Sequence, residues 1–328
     1  MPGLVVVRGT GSIGRRHADV LRGLGHDVLE WPVRPREHDD GPVPTEREAL
    51  EAAAAADLVV VSTDTARHVD DARQLLDAGA RRLLVEKPVA PTAAAAQALL
   101  AHPGAPDRVF VAAPLRAHLG FGHLRAAVDA LPAPRYATVF SQSWLPSWRP
   151  DRDYRQSYSA RAAEGGALRD LVHEIDYAAV LLGRPERVTA VLDTEGPLEI
   201  AAEQGATVLW RTGSGSVTVR VDYVTRPSRR GALVTSPGGS VAWDPLTATV
   251  TAVDADGRAT TTVTPQDLDR DAVTARQARA ALALAPTAPL AERLAAGAPA
   301  SLAEGVLAVQ VCDDARASAQ DGAGSAAR

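Results

Sequence analysis

The chain has 328 residues, enough for two domains, and its 46% hydrophobic and 23% charged residues are typical of a globular protein. A net charge of −5 with a pI near 5.9 argues against a general nucleic-acid or anionic-membrane surface. The single cysteine, Cys312, excludes an internal disulfide framework and favours a reducing compartment. No apolar run reaches membrane-spanning length and no signal-peptide pattern is seen, so a cytoplasmic protein without a membrane partner is expected.

The first third of the chain alternates short apolar runs with helix-length segments. The runs are rich in branched residues and lie at 4–7, 57–62, 83–85 and 109–112. Segments with a helical pattern, such as 17–24 and 93–101, lie between them. This alternation predicts a parallel sheet that is covered by helices on both faces.

A glycine-rich loop directly follows the first predicted strand. Its sequence is Gly9-Thr10-Gly11-Ser12-Ile13-Gly14, and a helical segment opens within it. Glycines permit a tight turn and a close approach of the backbone to a pyrophosphate, and the helix amino terminus supplies the positive end of a dipole. Because a strand precedes the loop and a helix follows it, we predict a dinucleotide-binding loop with all six residues as candidate contacts.

The end of the second predicted strand, around residues 30–34, bears on which dinucleotide is preferred. A carboxylate about twenty residues beyond the glycine loop favours NAD by binding the ribose 2′-hydroxyl. Here Arg34 and Arg36 occupy that region and suit the 2′-phosphate of NADP, although Glu30 is near. The sequence therefore favours NADP and leaves NAD open.

Lys87 is the only lysine among 35 basic residues, and every other one is an arginine. It follows a predicted buried strand, in the segment Glu86-Lys87-Pro88. Arginine is permanently charged, whereas lysine is a compact cation whose pKa moves readily on burial, so lysine can share or release a proton. We therefore predict proton chemistry at Lys87. The alternative is a lysine that survived by chance on a solvated surface.

Six of the few aromatic residues of the chain fall between residues 136 and 158, interleaved with arginines. Flat rings stack on the apolar face of a sugar, and arginine binds carboxylate or phosphate in a forked geometry. Tyr136 and Phe140 stand at strand periodicity and are interpreted as core residues. The polar stretch that follows predicts substrate contacts for Trp148, Tyr154, Arg155 and Tyr158.

A helical pattern runs over residues 166–182 and is stopped by a glycine. Asp170, His173 and Tyr177 stand three and four residues apart and are predicted to form one polar stripe, and Asp176 follows His173 at a spacing of three. A histidine flanked by two aspartates favours an acid–base role. No second histidine or cysteine stands at ligand spacing, so no metal site is predicted.

Beyond about residue 135 the apolar pattern changes to an alternation of period two. Val217, Val219 and Val221 fall on one side of a predicted strand, after a hairpin turn at 212–215. This pattern indicates an open, mainly antiparallel sheet with one buried face. The chain is therefore predicted to divide at residue 118.

Two domains follow from this change of pattern. Residues 1–118 form an α/β dinucleotide-binding domain, and residues 119–328 form an α+β domain for the substrate and for oligomerisation. A capping box at Ser301 and Glu304 predicts a last helix over about 301–315, a candidate to pack back on the first domain.

Four motifs, in this order, resemble the family of sugar and cyclitol dehydrogenases that contains glucose–fructose oxidoreductase, inositol dehydrogenase and the rhizopine-catabolism proteins. They are Gly11-Ser12-Ile13-Gly14-Arg15-Arg16-His17, Ser62-Thr63-Asp64-Thr65-Ala66-Arg67-His68, Glu86-Lys87-Pro88 and Gly165-Gly166-x-x-x-Asp170-x-x-His173-x-x-Asp176. Each motif alone is modest, whereas four in register are specific. The resemblance implies a Rossmann domain followed by an open antiparallel sheet, with the active site in the cleft between them.

The resemblance also implies a cofactor site and a reaction. Beyond the glycine loop, the residues implied to lie at the cofactor are Ser62, Thr63, His68, Glu86 and Arg116. The reaction is the reversible oxidation of a secondary alcohol, in which Lys87 and His173 serve as a coupled acid–base pair at the hydroxyl. Many members space the aspartate and histidine four residues apart, whereas Asp170 and His173 stand three apart. Whether Asp170 or Asp176 orients the imidazole is therefore left open, and Asp176 is also a candidate substrate contact.

The predicted function is that of an NAD(P)-dependent dehydrogenase for a sugar, sugar acid or nucleotide sugar, without a nucleic-acid partner. The segment 148–159 is similar to oxidoreductases of nonulosonic-acid and surface-sugar biosynthesis. The exposed face of the open sheet suggests a homo-oligomer, either a dimer or a tetramer. Two alternatives remain: a cofactor-bound metabolite sensor, and a non-redox enzyme that keeps its dinucleotide bound while it catalyses epimerisation or elimination.

Overall fold

The structure, a computed structural model, describes residues 3–34 and 43–326, with side chains described as far as residue 320. The chain forms two compact units, each with its own sheet. The first unit comprises Met1–Ala117 and Asp269–Val306. The second comprises His118–Leu268 and Leu307–Arg328.

The regular elements follow one another with short connections. The strands are β1 (Leu4–Arg8), β2 (Asp27–Trp31), β3 (Leu58–Val61), β4 (Leu83–Val85), β5 (Val109–Val111), β6 (Arg135–Trp144), β7 (Val188–Asp193), β8 (Gly205–Thr212), β9 (Gly215–Asp222), β10 (Val224–Ser236), β11 (Gly239–Asp244), β12 (Thr249–Asp254), β13 (Ala259–Val263) and β14 (Ala300–Ser301). The α-helices are α1 (Ser12–Gly23), α2 (Glu46–Ala55), α3 (His68–Asp77), α4 (Ala93–Leu100), α5 (Ala105–Arg108), α6 (Leu119–Ala130), α7 (Ala167–Asp170), α8 (His173–Leu182), α9 (Arg270–Ala283), α10 (Leu290–Ala295) and α11 (Leu302–Ala326).

The sheet of the first unit has the strand order β14-β5-β4-β3-β1-β2. Strands β1 to β5 are parallel, and β14 is antiparallel to β5. The central strands are runs of valine and leucine that are buried on both faces, as in the Leu-Val-Val-Val sequence of β3. Such runs need helices on both sides of the sheet. The predicted Rossmann domain is therefore confirmed.

Residues 269–306 return the chain to the first unit. Helix α9 packs on α1 and contributes Ala278 and Ala281 to the core beneath the parallel sheet. The side-chain oxygen of Gln277 accepts a hydrogen bond of 2.8 Å from the backbone N–H of Ala113. The sequence pattern assigns residues 119–328 to the second domain, with the last helix at about 301–315 as a candidate to pack back on the first, whereas α9 and α10 also belong to the first unit. The alanine-rich α9 packs through small side chains, so it lacks the strong apolar stripe that would have marked its place.

The sheet of the second unit has the strand order β13-β12-β11-β10-β6-β9-β8-β7 and is antiparallel except for the β6–β9 pair. The alternation predicted for β9 is present, because Val217, Val219 and Val221 are buried whereas Arg220 is half-exposed. Helices α6 and α8 pack on the strands on this buried side. The open, mainly antiparallel sheet is therefore confirmed.

One expectation for this sheet was wrong. Tyr136 was interpreted as a core residue, but it is 52% exposed, and Phe140 is half-buried with the Arg229 guanidinium 5.4 Å from its ring centre. In β6 it is Ala137 and Val139 that are buried. The alternation of side chains with a period of two was predicted correctly. The large residues of β6, however, lie on the open face, and the small ones face the helices.

The last helix begins as predicted and extends further. Ser301 and Glu304 form the capping box, in which the Ser301 N–H donates to Glu304 Oε2 at 2.7 Å and the Glu304 N–H donates to Ser301 Oγ at 3.4 Å. A Cβ on Gly305 would lie 2.5 Å from Val111, so the first turn packs closely on β5 within the first unit. No proline interrupts the sequence after residue 302, and α11 therefore continues past the predicted end at residue 315.

Candidate functional site

The loop between β1 and α1 owes its course to two glycines. Gly9 has a φ of +92°, and a Cβ there would lie 2.8 Å from backbone atoms of Ser62 and Thr63. A Cβ on Gly14 would lie 2.0 Å from the Gly9 carbonyl oxygen. The loop therefore packs tightly against the segment that follows β3, which any larger residue would prevent.

The other side of the glycine loop is open. A Cβ on Gly11 would have no atom within 4 Å beyond its chain neighbours, and Ser12 and Ile13, the first residues of α1, are exposed. The N–H groups of a first helical turn, together with the positive end of the helix dipole, bind phosphate groups. These residues fit the pyrophosphate of a dinucleotide, whereas the Thr10 side chain is buried.

The hydroxyl groups after β3 hold this loop in place. Ser62 Oγ donates to the carbonyl oxygen of Gly9 at 2.8 Å, and Thr63 Oγ1 donates to Asp71 Oδ2 at 2.7 Å. Both hydroxyl protons are used within the first unit, so these residues shape the loop. Their direct contact with a cofactor stays a prediction.

Strand β2 ends at Trp31, and Arg34 follows with an exposed side chain. Glu30 of β2 accepts a hydrogen bond of 2.5 Å from Arg22 of α1. The charge of this carboxylate is therefore balanced within the first unit. Arg36, the second arginine predicted to meet a 2′-phosphate, lies outside the described residues.

Arg8 was overlooked in the sequence, although it closes the apolar strand β1 just before the glycine loop. Its guanidinium lies 4.1 Å from the centre of the Trp31 ring and donates to the carbonyl oxygen of Pro32 at 3.0 Å. Its Nε is 3.5 Å from Oδ1 of the buried Asp71. Burial lowers the pKa of the Arg8 guanidinium, and Asp71 opposes that effect. Arg8 thus fixes the carboxyl end of β2. The feature of the sequence that could have pointed to Arg8 is a cation at the end of a strand of valines.

His68, expected at the cofactor, is buried with both ring nitrogens beside backbone carbonyl oxygens. Nδ1 is 2.9 Å from the Pro88 oxygen and Nε2 is 3.0 Å from the Thr63 oxygen. Burial lowers the pKa of this imidazole. His68 therefore braces the segment after β4 against the segment after β3, and its contact with a cofactor stays a prediction.

Glu86 and Lys87 directly follow β4, and both are half-buried. Glu86 Oε1 lies 2.8 Å from Nε2 of His17, and Glu86 Oε2 accepts a hydrogen bond from the Lys87 backbone N–H at 3.3 Å. Burial alone raises the pKa of the Glu86 carboxyl, but the His17 contact and the Lys87 charge outweigh burial, and the pKa falls below 4.5. The only lysine of the chain therefore stands beside an ionised carboxylate.

Arg116 is 2% exposed and belongs to a buried ion network of the first unit. Arg116 Nη1 donates to Glu304 Oε2 at 2.9 Å, and Arg293 donates to both oxygens of the same carboxylate at 2.8 and 2.9 Å. Burial raises the pKa of the Glu304 carboxyl, but these arginines lower it to about 2. The predicted position of Arg116 near a nicotinamide stays a prediction.

In the second unit, Asp170 is buried and receives three hydroxyl donors. Tyr158 donates to Oδ1, while Ser159 and Tyr223 donate to Oδ2 at 2.6 and 3.0 Å. Burial, followed by the charge of Asp170, raises the pKa of the Tyr223 hydroxyl well above 10, so Tyr223 remains a donor. Hydroxyl donors solvate a carboxylate without cancelling its charge.

Two glycines allow the Tyr158–Ser159 segment to approach Asp170. A Cβ on Gly165 would lie 2.1 Å from the Tyr158 carbonyl oxygen. Gly166 has a φ of +90°, and a Cβ there would lie 2.1 Å from the Glu203 carboxylate. The Gly-Gly pair recognised in the sequence therefore has a structural cause, since it lets the chain fold closely over this segment before α7 begins.

The predicted continuous helix over 166–182 is interrupted. Helix α7 ends at Asp170 and α8 begins at His173, because Leu171, with φ −101° and ψ +31°, departs from helical geometry. Asp170 and His173 therefore stand at a junction between two helices and not on one helical face. Asp176 is buried in the first turn of α8, and His173 is half-buried.

Tyr177 does not belong to a polar stripe. Its side chain is fully buried, its hydroxyl donates to the Gly231 carbonyl oxygen at 3.1 Å, and its ring packs edge-on against Trp243. It is a core residue of the second unit. His173 and Tyr177 both lie within α8, so their spacing alone did not reveal that Tyr177 is buried in the core.

The residues predicted to bind substrate fall into two groups. Trp148 Nε1 donates to Ser143 Oγ at 2.9 Å, and its ring packs edge-on on Tyr223 with 5.5 Å between ring centres. Trp148 therefore joins Tyr158 and Asp170 around Tyr223. We call Trp148, Tyr158, Ser159, Asp170 and Tyr223 the Asp170 cluster.

Tyr154 and Arg155 form the second group. The exposed Arg155 is held by Asp153 at 2.9 Å and by Glu199 at 2.8 Å. The Tyr154 hydroxyl accepts from the backbone N–H of Glu199 at 3.4 Å. Because two carboxylates balance the arginine, its charge is already partnered by the protein.

Other classes of site have little support in the part of the chain that the structure describes. There, no helix is long and apolar enough to cross a membrane. Within the same residues, no three histidine, cysteine or acidic side chains are grouped so as to hold a metal ion, and the absence of a metal stays a prediction. Burial raises the pKa of the Cys312 thiol to about 12, which leaves it unreactive.

Two family models match the sequence in chain order. Residues 36–113 match the oxidoreductase family with an NAD-binding Rossmann fold, and residues 133–240 match the GFO/IDH/MocA C-terminal domain. The chain belongs to the Gfo/Idh/MocA oxidoreductase family. The first match includes Lys87 and the second includes Asp170 and His173, so the predicted family is confirmed. No sequence among the curated proteins matches this family member.

Solved structures share the fold at low sequence identity. An inositol dehydrogenase homologue complexed with NAD+ from Azotobacter vinelandii is 18% identical, with a TM-score of 0.80 and coverage of 98% of this chain and 96% of that one. The UDP-N-acetylglucosamine 3-dehydrogenase GnnA from Acidithiobacillus ferrooxidans is 19% identical, with a TM-score of 0.74 and coverage of 97% and 98%. A levoglucosan dehydrogenase complexed with NADH and levoglucosan is 16% identical, with a TM-score of 0.76 and coverage of 98% of both chains. These similarities show the fold of this Gfo/Idh/MocA protein over nearly its whole length.

Proposed function

We propose that this chain is an NADP-dependent dehydrogenase that oxidises a secondary alcohol of a sugar, sugar acid or nucleotide sugar. The observation that carries the proposal is Lys87, the only lysine, placed after β4 beside ionised Glu86 in a unit whose glycine loop fits a dinucleotide. The similar structures support the substrate class, since two are described as dehydrogenases of UDP-N-acetylglucosamine and of levoglucosan. A substrate of nonulosonate or surface-sugar biosynthesis is the finer form of the proposal, supported by the segment 148–159.

Lys87 is proposed to bind the reacting hydroxyl and to exchange its proton. A lysine amine can accept the proton that leaves the hydroxyl, which a guanidinium cannot do near neutrality. A nicotinamide, when bound, supplies the complementary hydride acceptor or donor. The Glu86 carboxylate faces the lysine charge and is proposed to hold the ammonium in place.

His173 is proposed as the second acid–base group at the same hydroxyl, with Asp170 or Asp176 orienting its imidazole. The half-buried position of His173 at the start of α8 and its aspartates three residues away on each side support this role. Three hydroxyl donors fix the Asp170 carboxylate, which supports Asp170 as the orienting group. Trp148, Tyr154, Arg155 and Tyr158 are proposed as substrate contacts, the aromatic rings against the sugar and Arg155 toward an anionic group.

The preference for NADP over NAD rests on charge near the end of β2. Arg34 is exposed there, and Glu30 is balanced by Arg22. A charge-assisted contact to a 2′-phosphate contributes about 1.5–3 kcal/mol, so Arg34→Ala should weaken NADP+ binding by about tenfold or more in calorimetry. NAD+ binding should change little, and the exposed Arg258→Ala serves as the control. Tighter binding of NAD+ than NADP+ to the wild type would remove the preference.

A homo-oligomer, a dimer or a tetramer, is proposed through the open face of the second sheet. Tyr136, Val191, Leu209 and Leu233 on strands of this sheet are 40–64% exposed, and exposed apolar side chains of this kind support an interface. We propose a cytoplasmic location, which the single, buried Cys312 supports. Leu209→Arg should lower the mass of the assembly measured by light scattering. A monomeric mass for the wild-type protein would contradict the proposed assembly.

The decisive experiment compares hydride transfer in the wild type and Lys87→Arg. Sugars, sugar acids and nucleotide sugars are screened with NADP+ for a substrate-dependent change in nicotinamide absorbance, and the best substrate is used for single-turnover measurements. Lys87→Arg should lower the rate about 100-fold or more while dinucleotide binding persists, because removing a positioned acid–base group costs about 10²–10⁴ in rate. Lys87→Met, which keeps the stem and removes the charge, should be comparably slow. Rates within threefold of the wild type would exclude the proposed role of Lys87.

A further inference from the structure

His17 lies on the buried face of α1, among residues that pack in the core. Ala18 and Leu21 are on the same face, and His17 itself is 1% exposed. A histidine buried among apolar residues is costly unless its nitrogens are hydrogen-bonded. Here Nε2 lies 2.8 Å from Glu86 Oε1, and Nδ1 has no hydrogen-bond partner among the described residues.

The contact between Nε2 and Glu86 indicates which ring nitrogen of His17 carries the proton. Because a buried N–H without an acceptor is destabilising, the arrangement favours a ring that donates from Nε2 and leaves Nδ1 as a lone pair. The assignment follows from the hydrogen-bond network. His17 then donates to Glu86, and a donor at this distance favours the ionised carboxylate over the neutral acid. The contact therefore favours both one position and one charge state of Glu86.

The groups around Glu86 connect the His17 contact to Lys87. The hydrogen bond with His17 of α1 and the charge of Lys87 both favour the ionised Glu86 carboxyl. The nitrogens of His68 in α3 contact the backbone oxygens of Pro88 and Thr63. The segment that carries Lys87 is thus held by two histidines, of which His17 contacts the Glu86 carboxylate and His68 contacts backbone oxygens.

We propose that His17 is a positioning residue for Lys87, holding the Glu86 carboxylate in place so that it faces the lysine as an anion. His17 acts through Glu86, since its own ring is buried. A role of His17 in catalysis rests on the proposed function, whereas its effect on Lys87 is a property of the protein without cofactor or substrate. The contact joins the first and third of the sequence motifs, which lie 69 residues apart.

The single lysine makes this proposal directly measurable. Competitive acetylation with a trace of acetic anhydride, read by mass spectrometry on the peptide that contains Lys87, gives the pH at which half of the amine is reactive. An opposite charge within about 4–6 Å typically moves such a midpoint by about 1–3 pH units. His17→Leu should therefore lower the Lys87 midpoint by about one pH unit or more relative to the wild type. Glu86→Gln, which removes the same anion from the other side of the contact, should lower it similarly.

Two further variants separate positioning from packing. His17→Gln keeps a donor at the place of Nε2 and should restore the wild-type midpoint. His102→Leu breaks another histidine–carboxylate pair of the first unit, the 3.0 Å contact with Asp77, and should leave the midpoint unchanged. An equal midpoint in the wild type and His17→Leu overturns the proposal. If His17→Leu does not fold by circular dichroism, an equal midpoint in Glu86→Gln overturns it, as does a His17→Gln midpoint like that of Glu86→Gln.

The measurement needs neither cofactor nor substrate, so its outcome is distinct from the test of the dehydrogenase. A wild type that oxidises none of the screened compounds removes the proposed function and leaves the midpoints to decide about His17. Where a substrate is found, the limb of the kcat–pH profile that reports Lys87 should move with the acetylation midpoint in His17→Leu and return in His17→Gln. A limb that stays in place while the midpoint moves would show that His17 does not position the reacting lysine.

Discussion

The regions around Glu304 in the first unit and Asp170 in the second are both built on a carboxylate with several donors, half-buried at Glu304 and buried at Asp170, but the partners differ. Glu304 is held by the guanidinium groups of Arg116 and Arg293. Asp170 is held by the hydroxyl groups of Tyr158, Ser159 and Tyr223. Arginines balance the charge of a buried carboxylate, whereas hydroxyl groups stabilise it and leave it negative.

This difference separates a carboxylate that holds the fold from one that is suited to chemistry. The Glu304 network ties the start of α11 to the turn at Pro114–Ala117 and to α10 within the first unit. The Asp170 cluster instead organises a negative charge at the junction between α7 and α8. We therefore expect substitutions of Asp170 to affect turnover most and substitutions of Glu304 to affect stability most.

The largest effect on catalysis within this comparison is expected from Asp170→Asn. The amide keeps the shape of the side chain but removes the charge that is proposed to orient His173, so kcat should fall about 100-fold. NADP+ affinity, measured by calorimetry, should stay within about twofold because the cofactor site belongs to the first unit. Asp193→Asn, at a carboxylate that Arg220 balances at 2.8 Å, is the matched control and should retain its activity. A variant with wild-type kcat would assign the orienting role to Asp176.

Glu304→Gln should have the largest effect on stability. Because the pKa of Glu304 is lowered from 4.5 to about 2, its ionised form contributes about 3 kcal/mol to the free energy of unfolding. A lowered pKa gives stability that is present above about pH 4.5 and is lost as the pH falls toward 2. Urea unfolding should therefore show a difference between wild type and variant that is largest near neutrality and shrinks in this range.

The activity of Glu304→Gln provides a second test of the comparison. At neutral pH and below its melting temperature, Glu304→Gln should keep kcat/KM within about threefold of the wild type. A constant difference in unfolding free energy from pH 7 to 2.5 would contradict the ionic origin of this stability. A large loss of kcat without a loss of stability would instead place Glu304 and Arg116 at the reaction.

A smaller effect is expected from Tyr158→Phe, which removes one donor from the Asp170 cluster. A hydrogen bond to a charged group contributes about 1.5–3 kcal/mol, of which the remaining donors recover part, so kcat/KM should fall about tenfold. Ser159→Ala removes a donor to the other carboxylate oxygen and should act in the same direction. If both variants lower only the melting temperature, measured by scanning calorimetry, the cluster is structural.

Arg155→Ala should have the smallest effect of the series. The exposed arginine is already balanced by Asp153 and Glu199, and such surface ion pairs contribute about 0–1 kcal/mol. If Arg155 binds an anionic part of the substrate, KM should rise about threefold with unchanged cofactor affinity. A rise of 100-fold would mean that Arg155 leaves both carboxylates when substrate binds, and an unchanged KM would remove it from the substrate site.

The parallel sheet and the glycine loop could be predicted because their causes are local. Valine runs are buried on both faces, and a glycine at positive φ, such as Gly9, is required wherever the loop turns tightly. Lys87 was found by composition, since one lysine among arginines is visible in the sequence alone. The alternation in β9 is local in the same way.

The contacts that the sequence did not predict join residues distant in the chain. The pairing of His17 with Glu86 spans 69 residues, and that of Tyr223 with Asp170 spans 53. The role of Arg8 depends on Trp31 and Asp71, which lie on other elements. The break between α7 and α8 was missed because Leu171 and Val172 continue the apolar spacing of a helix while the backbone leaves it. Pattern analysis places residues on faces, but the partners across those faces follow only from the fold.

The return of residues 269–306 to the first unit has a consequence for synthesis on the ribosome. The nascent chain completes β1 to β5 early, but the parallel sheet lacks Ala278, Ala281 and the Gln277 cap on Ala113 until the whole of 118–268 has been made. At about 5–20 residues per second this interval lasts roughly 10–30 s. During it, the apolar surface meant for α9 is exposed, while the second unit can already form its sheet. The first unit therefore reaches its final form only after the sheet of the second unit has been synthesised.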